Sequence, residues 1–67
     1  MDVRQRLAAN LRRLRSEKGL SQEQFAFDAG IHRTYVSDLE RGTRNPTIEV
    51  IDKLARCLNV PIGMLLD

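Results

Sequence analysis

The sequence predicts an all-α protein, a compact five-helix bundle formed by a single domain over residues 1–67. Two observations lead to this prediction. Apolar residues recur at helical spacing in several segments that lie between capping residues and a glycine or proline. No segment shows the alternation of apolar and polar residues that is typical of a half-buried strand. A chain this short buries only about 60% of its unfolded surface, so it has room for one small core.

The first predicted helix begins after Asp2, a suitable N-cap, and ends near Lys18 and Gly19. Its apolar residues recur at steps of four, four and three positions, which forms one stripe along an α-helix: Val3, Leu7, Leu11 and Leu14. Two shorter helices follow, separated by Gly30. Ser21 opens the first of them, and with Gln24 it has the spacing of a capping box. The next spans about residues 32–41.

Gly42 ends this third helix, because glycine readily adopts the left-handed conformation that often follows a helix. The segment TRNP, residues 43–46, predicts a turn, and Thr47 then caps a fourth helix. Pro61 begins a last turn or two of helix. The apolar residues of these two C-terminal elements are Ile48, Val50, Ile51, Leu54, Ala55, Leu58, Leu65 and Leu66.

Composition limits the class of protein. No apolar run approaches the roughly 20 residues of a membrane span, and the N-terminus lacks the apolar core of a signal peptide. We therefore expect a cytoplasmic protein with no membrane partner. The lone cysteine, Cys57, lies among apolar neighbours and is interpreted as a packed thiol. With one histidine and one cysteine, no metal site is expected. No cofactor, nucleophile–base pair or phosphate loop is indicated, so an enzyme is not expected.

The charge is unevenly distributed. The formal net charge is only +2, but residues 1–44 carry nine Lys or Arg against six Asp or Glu. The remaining residues carry two against three. This asymmetry indicates one basic face, which is compatible with a polyanionic partner.

The third helix presents a polar face to solvent. At 100° per residue, Val36 and Leu39 point inward, and Tyr35 and Glu40 flank this buried stripe. The outward side chains can donate or accept hydrogen bonds: Arg33 at the edge, then Thr34, Ser37, Asp38 and Arg41. An α-helix fits the major groove of B-DNA, where each base pair displays its own pattern of donors and acceptors. A short helix, a glycine turn and a second polar helix predict a helix-turn-helix at residues 22–41.

The segment QEQFAFDAGIHRTYVSDLER, residues 22–41, resembles the helix-turn-helix of the Cro/C1-type, XRE-like family of lambda and 434 repressors. Its fifth position is small (Ala26), its ninth is glycine (Gly30), and its fifteenth and eighteenth are apolar (Val36 and Leu39). Ala26 lets two helices cross closely, and Gly30 supplies a positive φ. The similarity extends over nearly the whole chain. The pattern HRTY…ERG.RNPT is most similar to the small controller proteins of restriction–modification systems.

The resemblance implies that double-stranded DNA is the partner and that four residues read its bases: Arg33, Thr34, Ser37 and Asp38. Their chemistry agrees, because arginine can bond guanine O6 and N7 together and a threonine methyl can touch the thymine methyl. Asp38 has two interpretations. Its carboxylate could accept from cytosine N4, or it could form a surface pair with Arg41 three residues on.

DNA phosphates are expected to contact a second set of residues: Gln22, Tyr35, Arg41, Arg44 and Asn45. Gln22 begins the second helix, where free backbone N–H groups also favour an anion. Arg44 and Asn45 match the family's second backbone-contacting loop. The Tyr35 hydroxyl could reach a phosphate while its ring packs beside the third helix. His32 is interpreted as a substitute cap or a minor backbone contact.

Two further expectations concern positions off the DNA-reading face. The resemblance pairs Arg15 with Glu40 in a partly buried ion pair that joins the first and third helices. Two independent surface charges are the alternative. Phe27 points away from the core on the second helix, beside Asp28. It could dock RNA polymerase, as activators of this family can do, or it could be a scattered surface apolar residue.

The predicted function is therefore a sequence-specific transcriptional regulator, a repressor or controller protein that binds a near-palindromic operator as a homodimer. Apolar residues near the C-terminus are predicted to form the dimer interface: Val60, Pro61, Ile62 and Leu65. Two alternatives remain on the same fold. An antitoxin would bind a toxin as well as its own promoter, and an interaction adaptor would depend on surface patches such as Phe27.

Overall fold

The computed structural model describes residues 2–67, which form five α-helices in the predicted order. No strand occurs among these residues, so the predicted all-α class is confirmed. None of the described helices is long and apolar enough to cross a membrane. The helices are α1 (Val3–Glu17), α2 (Gln22–Ala29), α3 (Arg33–Glu40), α4 (Ile48–Leu58) and α5 (Gly63–Leu66).

Side-chain caps begin three of the helices. Asp2 accepts a hydrogen bond from the Arg4 amide at 2.7 Å, and the Ser21 hydroxyl accepts from the Gln24 amide at 3.0 Å. Thr47 does the same for α4, accepting from the Val50 amide at 3.2 Å. Each cap satisfies one of the N–H groups that a helix leaves without an internal partner.

Two capping contacts that the sequence suggested are not formed. The reciprocal half of the capping box is absent, because the Gln24 amide donates to Asp28, four residues on, at 2.8 Å. His32 occupies the N-cap position of α3 in extended backbone, but its side chain makes no capping hydrogen bond.

Residues with left-handed backbone conformation follow α2, α3 and α4. Gly30 has φ +70° and Gly42 has φ +75°, as expected for the turns that follow α2 and α3. Asn59 ends α4 at φ +57°. Asparagine tolerates this region better than most residues with a side chain.

A matched pair of glycine variants tests the role of Gly30. A Cβ at Gly30 would meet no atom within 4 Å, so Gly30→Ala carries backbone strain alone. We expect it to lower the free energy of unfolding by about 1–2 kcal/mol. Gly63→Ala is the control, because Gly63 also has open space but lies in α5 without a positive φ. Urea denaturation should show Gly63→Ala unchanged or more stable, and equal losses in both variants would contradict this account.

The core lies where the five helices converge. Helix α2 packs on α3, α1 packs on α3 and α5, and α4 packs on α2 and α5. Ala26 is buried as expected for a close crossing of helices. The predicted inward positions of α3 are also buried. The largest fully buried side chains are Phe25, Leu11, Leu39, Leu54, Leu58, Leu65 and Val36.

Three apolar residues differ from their predicted surroundings. Leu65 is 0% exposed because α5 packs against α1, where the Asn10 side chain donates to the Leu65 carbonyl at 3.0 Å. Its assignment to a dimer interface was therefore wrong. Val3 and Ile48 are exposed although they belong to predicted apolar stripes. Each is the first residue of its helix, at the margin of the core.

Candidate nucleic-acid interface

The exposed face of α3 brings the four predicted base-reading residues together. Arg33 and Thr34 are exposed, while Ser37 and Asp38 are partly covered. With Arg41, these residues line one shallow cavity of about 140 Å³. Helix α2 packs across α3 on the opposite, buried side. The face is therefore free to approach another molecule, and it offers both donors and acceptors.

Asp38 is held by two arginines at the C-terminal end of this face. Arg41 Nη2 donates to Asp38 Oδ1, and Arg44 Nη2 donates to Asp38 Oδ2 at 3.4 Å. Arg41 Nη1 also donates to the Ser37 hydroxyl at 3.3 Å. The surface pair of Asp38 with Arg41 is thus present in the free protein, and Arg44 joins it.

The Tyr35 ring packs against the core, and one of its faces contacts Arg44. The side chain is half-buried against the hydrophobic core, and the Arg44 guanidinium carbon lies 4.6 Å from the centre of its ring. A guanidinium over an aromatic face is attracted by the ring quadrupole. The contact holds Arg44 close to α3, beside Asp38.

A buried ion pair fixes α3 to α1. Arg15 Nε donates to Glu40 Oε2 at 2.6 Å, and Arg15 Nη2 donates to Glu40 Oε1 at 3.0 Å. The Glu40 side chain is 3% exposed. This hydrogen bonding raises the pKa of Arg15 above its usual value. The expected Arg15–Glu40 pair is present and has the two-pronged geometry that suits arginine and carboxylate.

The same ion pair also organises α2. Arg15 Nη1 donates to the Leu20 carbonyl at 2.7 Å, and the Gln22 side-chain amide donates to Glu40 Oε1 at 3.0 Å. A second arginine, Arg12, donates to the Glu40 carbonyl at 3.1 Å. These contacts join α1, the start of α2 and the end of α3, so they fix the relative positions of the two helices of the motif.

Comparison with known proteins identifies the motif. A family model described as helix-turn-helix matches residues 11–65. The chain belongs to this helix-turn-helix family. Control protein C.BamHI of Bacillus amyloliquefaciens is 42% identical over 67 residues, which cover 98% of this chain and 83% of that protein.

Two solved structures share both sequence and fold with this helix-turn-helix protein. The hypothetical transcription factor NHTF from Neisseria superposes with a TM-score of 0.96 at 44% identity, covering 98% of this chain and 76% of that one. The restriction-modification controller protein C.AhdI from Aeromonas hydrophila gives a TM-score of 0.89 at 44% identity, covering 92% and 94%. The predicted similarity to controller proteins is confirmed. The relatives are regulators or control proteins, as expected for a chain that is not an enzyme.

Sequence reasoning missed several contacts, and two of them involve residues that were predicted to contact phosphate. The first is the hydrogen bond from Gln22 to Glu40, which occupies part of a side chain predicted to contact phosphate. The second is the pair between Arg44 and Asp38. Both contacts join residues across a turn, where neither helical periodicity nor capping chemistry gives a signal. The predicted phosphate residue Asn45 lies exposed in the loop after α3.

Two residues outside α3 were also singled out from the sequence. Phe27 is 71% exposed on α2, as expected from its position opposite the core residues of that helix. Cys57 is half-buried against the core, and burial raises the pKa of its thiol. The protonated form is therefore favoured at neutral pH, which agrees with a packed thiol.

Proposed function

We propose that this protein is a sequence-specific transcriptional regulator that binds double-stranded DNA with α3 in the major groove. The observation that carries the proposal is the exposed row of hydrogen-bonding side chains on α3, backed by the buried Arg15–Glu40 pair. A helix that reads bases must be held in one orientation, because hydrogen bonds to base edges tolerate little displacement. The ion pair supplies that rigidity.

The proposed DNA contacts are of two kinds. Arg33 can bond guanine O6 and N7 together, Thr34 can contact a thymine methyl, and Ser37 can bond to any base edge. Phosphates are bound by Tyr35 and by residues at or just beyond the two ends of the motif, which fix the position without reading sequence. These are Gln22, Tyr35, Arg41, Arg44 and Asn45.

Relatives support a controller-type regulator. C.BamHI is a control protein and C.AhdI is a restriction-modification controller protein, and both align with nearly the whole chain. We infer the same kind of role here. Control would operate through protein concentration and dimerisation, because no ligand or cofactor is needed for the proposed contacts.

A homodimer is the proposed binding unit. The protein measures 28 × 23 × 21 Å, whereas half-sites one helical turn apart are separated by about 34 Å. One copy is too small to read both. We assign the interface to the turn before α5 and its exposed edge: Val60, Pro61 and Ile62, as predicted, with Met64, which is 38% exposed, in place of the buried Leu65.

Met64→Asp tests this interface. A charge at the centre of an apolar contact should give a monomer in sedimentation equilibrium, and operator affinity should fall at least tenfold because each half-site alone makes few phosphate contacts. Phe27→Asp is the matched control, since it places the same charge on an exposed apolar residue of α2 and should remain dimeric. If the Met64→Asp protein remained dimeric, the dimer interface would have to lie elsewhere on the surface. Leu65→Asp is unsuitable because it would disrupt the core.

Footprinting of the DNA upstream of the protein's own gene tests the proposed function. We expect protection of two related half-sites whose centres lie about 10 base pairs apart. The protected sequence would define the operator. Uniform protection along the fragment, with no site protected at concentrations below those that saturate random DNA, would contradict a sequence-specific regulator.

A second candidate function is an interaction adaptor, which the exposure of Phe27 favours. Phe27 borders an open depression lined also by Ala26, Ile31 and His32. RNA polymerase is the partner considered for this surface. An adaptor would lose its partner with Phe27→Ala and keep it with Thr34→Ala, because Thr34 lies outside this depression. A DNA-binding regulator would keep its operator affinity with Phe27→Ala and lose part of it with Thr34→Ala.

A further inference from the structure

Asp38 is paired with two arginines, Arg41 and Arg44, whose positive charges the proposed function assigns to DNA phosphates. Both carboxylate oxygens are occupied, one by Arg41 and the other by Arg44. The Asp38 side chain is 18% exposed, while those of Arg41 and Arg44 are 62% and 47% exposed. The carboxylate is therefore largely covered, and the two guanidinium groups form the outer surface of the cluster.

This cluster lies on the face that would meet DNA. Asp38 and Arg41 line the same shallow cavity as Arg33 and Thr34. A carboxylate in that position is repelled by every phosphate that approaches. At the same time it neutralises about one of the two arginine charges that would otherwise contact phosphate. Asp38 thus weakens binding to all DNA, whatever the base sequence.

Only a base that donates a hydrogen bond can offset this effect. When Arg41 and Arg44 turn toward phosphates, the Asp38 oxygens lose their donors. A buried or groove-facing carboxylate without donors is unfavourable. The two amino donors in the major groove are cytosine N4 and adenine N6, and cytosine N4 is the one with which aspartate typically pairs. With such a cytosine in reach, the lost arginine contact is replaced, whereas guanine and thymine present no donor there.

We propose that Asp38 is a specificity-determining residue that competes with DNA phosphates for Arg41 and Arg44 and yields them where a cytosine N4 amino group takes their place. The inference rests on the proposed function and adds a mechanism to it. Specificity then comes from weakening the binding of wrong sequences as well as from contacts with the right one. Tyr35 assists, because its ring holds Arg44 beside the carboxylate.

The experiment compares Asp38→Ala with wild type on the footprinted operator and on a scrambled duplex of equal length. Removing the carboxylate frees about one positive charge for phosphate. At 0.1 M salt we expect scrambled DNA to bind about tenfold tighter, and its salt slope to steepen by about 0.9. Operator affinity should stay about the same, because the lost cytosine contact offsets the gain from phosphate, so the ratio of operator to scrambled affinity should drop by about tenfold.

Asp52→Ala is the matched control. Asp52 is paired with Arg56 on α4, with Asp52 Oδ2 accepting from Arg56 Nε at 2.9 Å. This variant changes the net charge by the same amount away from α3, and it should leave the affinity ratio unaltered. Asp38→Asn, which keeps the shape and removes the charge, is a second variant, and circular dichroism checks the fold of all three.

A base substitution supplies an independent readout. The cytosine–guanine pair opposite Asp38 can be inverted to guanine–cytosine in each half-site. This change should weaken wild-type binding about tenfold or more and leave the binding of Asp38→Ala nearly unaffected. If Asp38→Ala tightens both duplexes equally, as a general charge effect would, the inference is overturned. If it weakens both, Asp38 merely positions the arginines, and the inference is again overturned. Equal affinity of the wild-type protein for the operator and the scrambled duplex would overturn the proposed function itself.

Discussion

Replacing Arg15 by alanine is expected to lower the free energy of unfolding by about 3 kcal/mol. The Glu40 carboxylate is 3% exposed, and Arg15 supplies a donor to each of its oxygens. Without the arginine, a buried negative charge keeps only the hydrogen bond from Gln22. In a protein of 67 residues, whose core supplies roughly 3–5 kcal/mol, such a loss would unfold a large fraction of the molecules.

Urea denaturation provides the measurement, and Arg13→Ala is the control. Arg13 lies on the same helix and pairs with Glu17 at 3.5 Å, but both side chains are exposed, so its loss should change stability by less than about 1 kcal/mol. The double variant Arg15→Met with Glu40→Leu should recover much of the stability by removing both charges. An Arg15→Ala protein as stable as Arg13→Ala would show that the ion pair contributes nothing.

The second large effect is expected at Arg33. Arg33→Ala should weaken operator binding by about 1–3 kcal/mol per half-site and relax the preference at one base pair in each. Binding to scrambled DNA should change little, because a base contact is absent there. The physical reason is that Arg33 begins the exposed face of α3, at the end that we propose enters the major groove.

Arg44→Ala is the contrasting variant. Arg44 lies beyond the end of α3, so we assign it to the DNA backbone. Its loss should weaken operator binding and lower the salt slope on the operator by about 0.9. The scrambled duplex should lose less affinity, because Asp38 competes with its phosphates for Arg44. Filter binding of both variants to both duplexes across a salt series separates the two roles. Equal losses on both duplexes for Arg33→Ala would make it another phosphate contact and leave specificity to Thr34, Ser37 and Asp38.

The sequence predicted those parts of the fold that depend on local chemistry. Spacing of apolar residues placed the helices, and hydroxyl and carboxylate caps located three of their starts. Gly30 marked the turn of the motif because few other residues adopt its positive φ without strain. The burial of Val36 and Leu39 followed from helical periodicity alone.

Features that depend on the packing partner were harder to predict. Leu65 is apolar whether it faces α1 or a second copy, and only the path of the chain after Asn59 shows that it joins the core. The pair between Arg15 and Glu40 spans 25 residues, so no local pattern indicates it, and it was expected only from family resemblance. The contacts of Gln22 and Arg44 depend on side-chain conformations across turns, which spacing does not determine.

The central claim is that α3 reads DNA sequence. The most direct test is the ratio of wild-type dissociation constants for the footprinted operator and a scrambled duplex, measured side by side at the same near-physiological salt. We predict that the operator binds at least about a thousandfold tighter, as is typical of specific regulators. Equal dissociation constants for the two duplexes would contradict the account.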